Sequence, residues 1–178
     1  VAARLVEKGA VGVINAVEGP GNAQYFDSRF ACGKAPCFMV GGNDGLVFDG
    51  QSCALDASGR VVARGEAFAE DFWTVDFPGG TGPIAHRADK VAQVRKALVL
   101  ALADYAGKCG FRSAVLGLSG GIDSAVCAAL AVDALGAANV TGVAMPGPYS
   151  SEGSVRDARA LAKNLGVELL EIPIGPMF

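Results

Sequence analysis

Ser113-Ala114-Val115-Leu116-Gly117-Leu118-Ser119-Gly120-Gly121-Ile122-Asp123-Ser124 runs from an apolar stretch through a Ser-Gly-Gly turn into a second run, Ile122 to Leu135, that is apolar nearly all round. The first part reads as a strand and the last as a helix buried on most sides, which makes the stretch a strand-to-helix connection. Outward from it, Asn139 to Met145 reads as a second strand and Val167 to Ile172 as a third. Between them Ser151 to Leu165 predicts an amphipathic helix with Val155, Ala158, Leu161, Ala162 and Leu165 inward and Gly166 as its stop. Strands alternating with helices over short connections predict an α/β fold, half of a doubly wound parallel sheet, because parallel neighbours need a crossover helix. On the other side, Val91, Val94, Leu98, Ala101 and Tyr105 lie at 3-4-3-4 spacing, which predicts one inward helical face stopped by Gly107.

Further upstream the period changes. Phe77-Pro78-Gly79-Gly80-Thr81-Gly82-Pro83 offers no apolar periodicity, and residues 77–84 read as a linker between domains. Asp56-Ala57-Ser58-Gly59-Arg60 between two alternating segments predicts a β-hairpin. Val11 to Val17 and Pro36 to Val40 read as buried strands, and Ala2 to Lys8 as a short helix ending at Gly9.

Of the 178 residues, 51% are hydrophobic and 19% charged, enough to build a core. A formal charge of −3 argues against nucleic acid as partner, so any phosphate must be held by backbone or metal. The longest apolar runs, Ala125 to Val132 and Ala97 to Ala103, fall short of the ~18–20 residues of a membrane span, and no signal segment opens the chain. Five cysteines, Cys32, Cys37, Cys53, Cys109 and Cys127, form no C-x-x-C pair, which fits a reduced cytoplasmic protein. The chain starts at Val1 and ends at Phe178 directly after an apolar stretch, as a fragment would.

The chemistry is concentrated in Gly117-Leu118-Ser119-Gly120-Gly121-Ile122-Asp123-Ser124. Glycines let backbone amides approach a polyphosphate, and the free amides and dipole of the following helix favour an anion there. Ser119 and Ser124 add hydroxyls on either side. A carboxylate beside phosphates needs a cation between them, so Asp123 reads as a Mg²⁺ ligand shared with phosphate oxygens. Neither G-x-x-x-x-G-K-[ST] nor G-x-G-x-x-G is present. His86, the one histidine, reads as a surface or capping residue; Trp73 as a cover over a domain edge; and Glu152, Arg156, Asp157 and Arg159 as a solvated helix surface.

The Ser-Gly-Gly-x-Asp-Ser pattern resembles the pyrophosphate loop of the N-type ATP pyrophosphatases, which cleave ATP between its α- and β-phosphates. With Ala97 to Tyr105, Lys108, Phe111, Ala134-Leu135-Gly136, Met145-Pro146, Tyr149 to Ser154, Asp157-Ala158 and Leu161 to Gly166, residues from about Gln93 to Phe178 resemble the synthetase domain of the glutamine-dependent NAD⁺ synthetases. Gly147 and Pro148 stand where that family has Ser and a basic residue. The resemblance implies that Gly117, Leu118, Ser119, Gly120, Gly121, Ile122, Asp123 and Ser124 bind ATP with Mg²⁺ on Asp123, and that Met145, Ser150 and Ser151 approach the nucleoside. For Tyr149, Ser150 and Ser151 a helix N-cap and its approach is the equal alternative.

Gly41-Gly42-Asn43-Asp44, Leu46 to Ser52, Asp56, Gly59-Arg60-Val61, Phe68 and Glu70-Asp71 resemble the closing strands of the nitrilase-type glutaminase domain that precedes such a synthetase, with Gly45 in place of an acidic residue. The implied organisation is a partial glutaminase segment over 1–76, the linker 77–84, and a truncated ATP-binding domain over 85–178. Residues 1–40 stay open, since Glu7 to Asn15 also resembles a protease-associated domain. The glutaminase triad lies outside the matched piece, so no catalytic residue is assigned; Cys32, Cys37 and Cys53 read as small buried apolar residues. The implied reaction is ATP-dependent amidation of deamido-NAD through an adenylate, with ammonia from glutamine, in a homo-oligomeric ligase. Another N-type amidotransferase, such as a GMP synthetase, or a non-catalytic nucleotide-binding remnant are the alternatives.

Overall fold

A computed structural model describes residues 15–17, 36–43, 45–56, 59–76 and 79–175. The chain divides into two compact units, Val1–Ala97 and Leu98–Phe178. The helix expected over Ala2 to Lys8 lies outside the described residues, as does most of the strand expected from Val11.

In the first unit, β1 (Asn15–Val17) pairs parallel with β2 (Pro36–Phe38), and β3 (Val40–Asn43) pairs antiparallel with β4 (Leu46–Asp49). The predicted hairpin forms from β5 (Cys53–Leu55) and β6 (Val61–Arg64), joined where Asp56 N–H donates to the Arg60 carbonyl at 2.9 Å. The hairpin buries Ala54, Val62 and Ala63, and Trp73 and Val75 pack over that cluster, so the indole covers apolar surface of the hairpin. The Gly- and Pro-rich segment runs beside β6: Gly82 N–H donates to the Val62 carbonyl, and Arg64 N–H to that of Pro83.

The long helix α1 (Lys90–Cys109) starts at Asp89, whose Oδ1 accepts from Ala92 N–H at 2.9 Å. Two expectations for it need correction. The stop is Gly110 and not Gly107: Gly110 takes a left-handed φ of 76°, its N–H bonds the Gly107 carbonyl, and Phe111 N–H bonds that of Ala106. Such a stop also wants an apolar residue after the glycine to fold back on the last turns, and Phe111 supplies it, its ring 6.4 Å from that of Tyr105. The predicted inward face is not buried either, since Val91, Val94, Leu98 and Tyr105 are exposed and α1 buries Ala106. Spacing defines which face could pack; it does not supply the surface to pack against.

The second unit holds the expected α/β pattern. Strands β7 (Ala114–Gly117), β8 (Val140–Ala144) and β9 (Glu168–Glu171) form a parallel sheet in the order β7-β8-β9, linked by α2 (Ile122–Leu135) and α3 (Glu152–Leu165). Register sets Leu116 beside Gly142 and Gly142 beside Leu169, and this row with Leu118 packs on Ala128 of α2 and on Ala158 and Ala162 of α3. Alanine and glycine at these contacts let the helices lie close to the sheet. On the opposite face Val115 is 71% exposed and Leu170 is exposed. The helix α2 is accordingly buried on one side, at Ala128 and Ala131, while Ile122, Val126 and Cys127 are exposed, against the expectation of burial on most sides. No described helix is long and apolar enough to cross a membrane.

Candidate active site at the carboxyl ends of the parallel strands

Parallel strands deliver their following loops to one edge of the sheet, where ligands bind α/β folds. Leu118 N–H donates to the Val143 carbonyl at 2.8 Å, carrying the β7–β8 ladder one residue past β7 before the chain turns. Ser119, Gly120 and Gly121 make that turn, and Gly121, with extended φ and ψ of −84° and 149°, starts α2 with no side chain to cap it. The first-turn amides of α2 therefore face the loop with the positive end of the helix dipole behind them.

The loop is knit by hydroxyls. Ser124 Oγ accepts from Ser119 N–H at 3.2 Å and lies 3.1 Å from Ser119 Oγ, while its proton is within reach of the carbonyls of Gly121, at 3.0 Å, and Ser119, at 3.2 Å. Ser119 Oγ also accepts from Gly121 N–H at 3.2 Å. Ser119, Gly120, Gly121, Ile122 and Asp123 are all exposed, so the cluster is accessible. Asp123 stands in the first turn of α2. Among the described residues no group of three or more His, Cys, Asp or Glu gathers around a possible metal position. Mg²⁺ commonly takes one or two carboxylates and completes its shell with substrate phosphates and water, so a single exposed Asp123 beside amides suited to phosphate fits that donor set.

The other expected residues reach the same edge from β8. A Cβ on Gly117 would lie 3.5 Å from Met145 Cε, which sets the half-exposed Met145 against the start of the loop. Ser150 Oγ accepts from Gly147 N–H at 2.9 Å, closing the turn after β8, and Ser151 is the N-cap of α3, accepting from Ser154 N–H at 3.2 Å. Tyr149, just before these two serines, stands almost fully exposed. One residue that the sequence reading left without a role also enters: Ser154 Oγ accepts from Gly120 N–H at 3.0 Å, across 34 positions of sequence. Only the topology hints at it, because loops after neighbouring parallel strands end side by side.

The chain is similar to known proteins over most of its length. Residues 94–178 match the family model described as NAD synthase. The glutamine-dependent NAD(+) synthetase of Synechocystis sp. is 48% identical over 147 residues, covering 78% of this chain and 26% of that relative. The protein of the same name from Aquifex aeolicus is 40% identical over 183 residues, covering 83% of the chain and 32% of the relative. A solved structure of glutamine-dependent NAD+ synthetase from Acinetobacter baumannii in complex with ADP superposes with a TM-score of 0.72 at 35% identity, covering 80% of this chain and 28% of that one. The chain thus spans between a quarter and a third of the length of the curated relatives it matches. Residues 94–178 thus belong to the NAD synthase family, and the chain as a whole is similar to one stretch of the glutamine-dependent NAD(+) synthetases.

Proposed function

We propose that this chain carries the ATP-binding part of a ligase that amidates deamido-NAD to NAD⁺, with glutamine as the source of ammonia. The observation that carries the reading is the hydroxyl-lined Ser119 to Ser124 turn, opening at the carboxyl edge of a parallel sheet onto the uncapped start of α2. Residues 85–178 are read as the ATP-binding domain, 77–84 as its linker, and 1–76 as the end of a nitrilase-like glutaminase. Ser119, Gly120, Gly121 and Ser124 would hold the β- and γ-phosphates, with Gly117, Leu118 and Ile122 framing the turn. Met145, Ser150 and Ser151 would shape the wall on the nucleoside side.

In this reaction the nicotinate carboxylate, already ionised at neutral pH, attacks the α-phosphorus of ATP, and pyrophosphate leaves. Ammonia then displaces AMP from the adenylate. Charge develops on the leaving pyrophosphate, where fixed amide dipoles and hydroxyls are most effective because they need no reorganisation. Asp123 would hold Mg²⁺, which when bound neutralises part of that charge.

Titration calorimetry of the chain with ATP tests the reading. Affinity in Mg²⁺ is expected to fall about tenfold or more in Asp123→Asn, since contacts to charged groups are worth ~1.5–3 kcal/mol. Equal affinity in EDTA, or in the variant, would remove the metal role from Asp123. Formation of NAD⁺ from deamido-NAD, MgATP and ammonium by the whole reading frame containing these residues tests the reaction itself.

A further inference from the structure

A turn built on two adjacent glycines has more backbone freedom than any other, so its working shape must be imposed by what surrounds it. Within the loop, Ser119 and Ser124 bond one another and the amides of Ser119 and Gly121. The Gly120 amide is held from another element, by Ser154 in the first turn of α3. Ser154 is itself fixed, since its N–H donates to Ser151 Oγ at 3.2 Å at the N-cap. The approach is close: a Cβ on Gly120 would lie 2.6 Å from Ser154 Cα and 3.0 Å from its carbonyl oxygen. Glycine at 120 is therefore what allows α3 to abut the loop, and the Ser154 hydroxyl is what orients the peptide at that contact.

We propose that Ser154 is a positioning residue for the phosphate-binding turn, setting the Ser119–Gly120 peptide through its hydroxyl so that the loop presents its polar groups to the terminal phosphates of ATP. The proposal rests on the ATP-binding reading above. Its chemistry is specific: an oxygen that accepts from Gly120 N–H is required at position 154, and bulk there is not. The predicted consequence is confined to ligands that carry the β- and γ-phosphates.

The experiment measures binding of MgATP, magnesium pyrophosphate and AMP to the wild-type chain, Ser154→Ala and Ser154→Thr by calorimetry, with thermal unfolding alongside. Ser154→Ala is expected to weaken MgATP and pyrophosphate about five- to tenfold, the scale of one hydrogen bond, and to leave AMP affinity unchanged. Ser154→Thr, which keeps the hydroxyl, restores pyrophosphate affinity to within about twofold of wild type, a margin below the loss of one hydrogen bond. Equal or tighter MgATP binding by Ser154→Ala would overturn the positioning role while leaving the ATP reading intact. An equal loss for AMP and MgATP would also overturn it, since the residue would then serve the fold alone. Absence of MgATP binding by the wild-type chain would overturn the ATP reading and this proposal with it.

Discussion

The connections leaving β7 and β8 occupy equivalent places in the fold and solve the start of a helix in opposite ways. After β8, Ser151 caps α3 with its own oxygen and Ser150 closes the preceding turn. After β7, Gly121 gives α2 no cap, and serine hydroxyls gather around the turn preceding it. A capped helix start is a stability device; an uncapped one with small residues in front of it is suited to receive an anion. On the reading proposed above, the sheet's carboxyl edge sets where the nucleotide lies, and the residue at the helix start decides which of the two neighbouring loops takes its phosphates.

The strongest way to break that contrast is to put a side chain where the two connections touch. Gly120→Ala drives a Cβ into the Ser154 backbone, which cannot rotate away as a side chain could. The loop or the first turn of α3 must shift, and MgATP affinity should fall by more than the roughly fivefold of a single lost hydrogen bond. Calorimetry on a variant whose far-ultraviolet dichroism is unchanged checks it; undiminished affinity would mean that the turn is not the phosphate site. Ser124→Ala removes an acceptor for Ser119 N–H without adding bulk. A loss of about fivefold is expected from one hydrogen bond, measured in the same titration.

How far the sequence carries this picture differs between its helices for physical reasons. In α3 the apolar positions Val155, Ala158, Leu161, Ala162 and Leu165 alternate with charges, a serine precedes the helix and Gly166, at φ 70°, follows it. Pattern, cap and stop all agree, and Ala158 and Ala162 are buried. In α1 the same kind of spacing is present, yet Val94 is 58% exposed, because periodicity is a property of one helix and burial a property of two surfaces. The turn from Ser119 to Ser124 was legible as a strand-to-helix connection, since its contacts are local. The Gly120–Ser154 hydrogen bond was not, as it depends on adjacency of β7 and β8 that no single stretch of sequence encodes.

Ser151→Ala sharpens the comparison from the capped side. Loss of the oxygen that accepts Ser154 N–H should lower stability by about 1 kcal/mol, as for other N-cap serines. Denaturant unfolding checks this. The loss in MgATP affinity should be smaller than that for Gly120→Ala. If instead affinity falls as steeply as for the glycine while stability holds, the Ser151 hydroxyl contacts the nucleotide and the two connections are alike in function.

The smallest effect is expected where α3 is tied to the far strand of the sheet. Arg159 Nε and one terminal nitrogen donate to the two carboxylate oxygens of Glu171 at 2.6 and 2.7 Å, joining the helix after β8 to β9. The hydrogen bond from Arg159 holds the Glu171 carboxyl below its ordinary pKa, and the same contact raises that of the guanidinium. A lowered folded-state pKa means that the unfolded chain binds the proton more readily, so the contribution is fully present above the ordinary glutamate value of about 4.3 and is lost as pH falls through the lowered one. Both side chains are solvent-exposed, and added salt should erode the contribution further. Unfolding of the wild type and Glu171→Gln is therefore expected to differ slightly at neutral pH and low salt, and to converge in acid or at high salt. A difference that persisted under both conditions would show that Glu171 holds β9 by something other than this ion pair. Because the pair lies away from the turn after β7 in the hydrogen-bond network, MgATP affinity at neutral pH should not follow it.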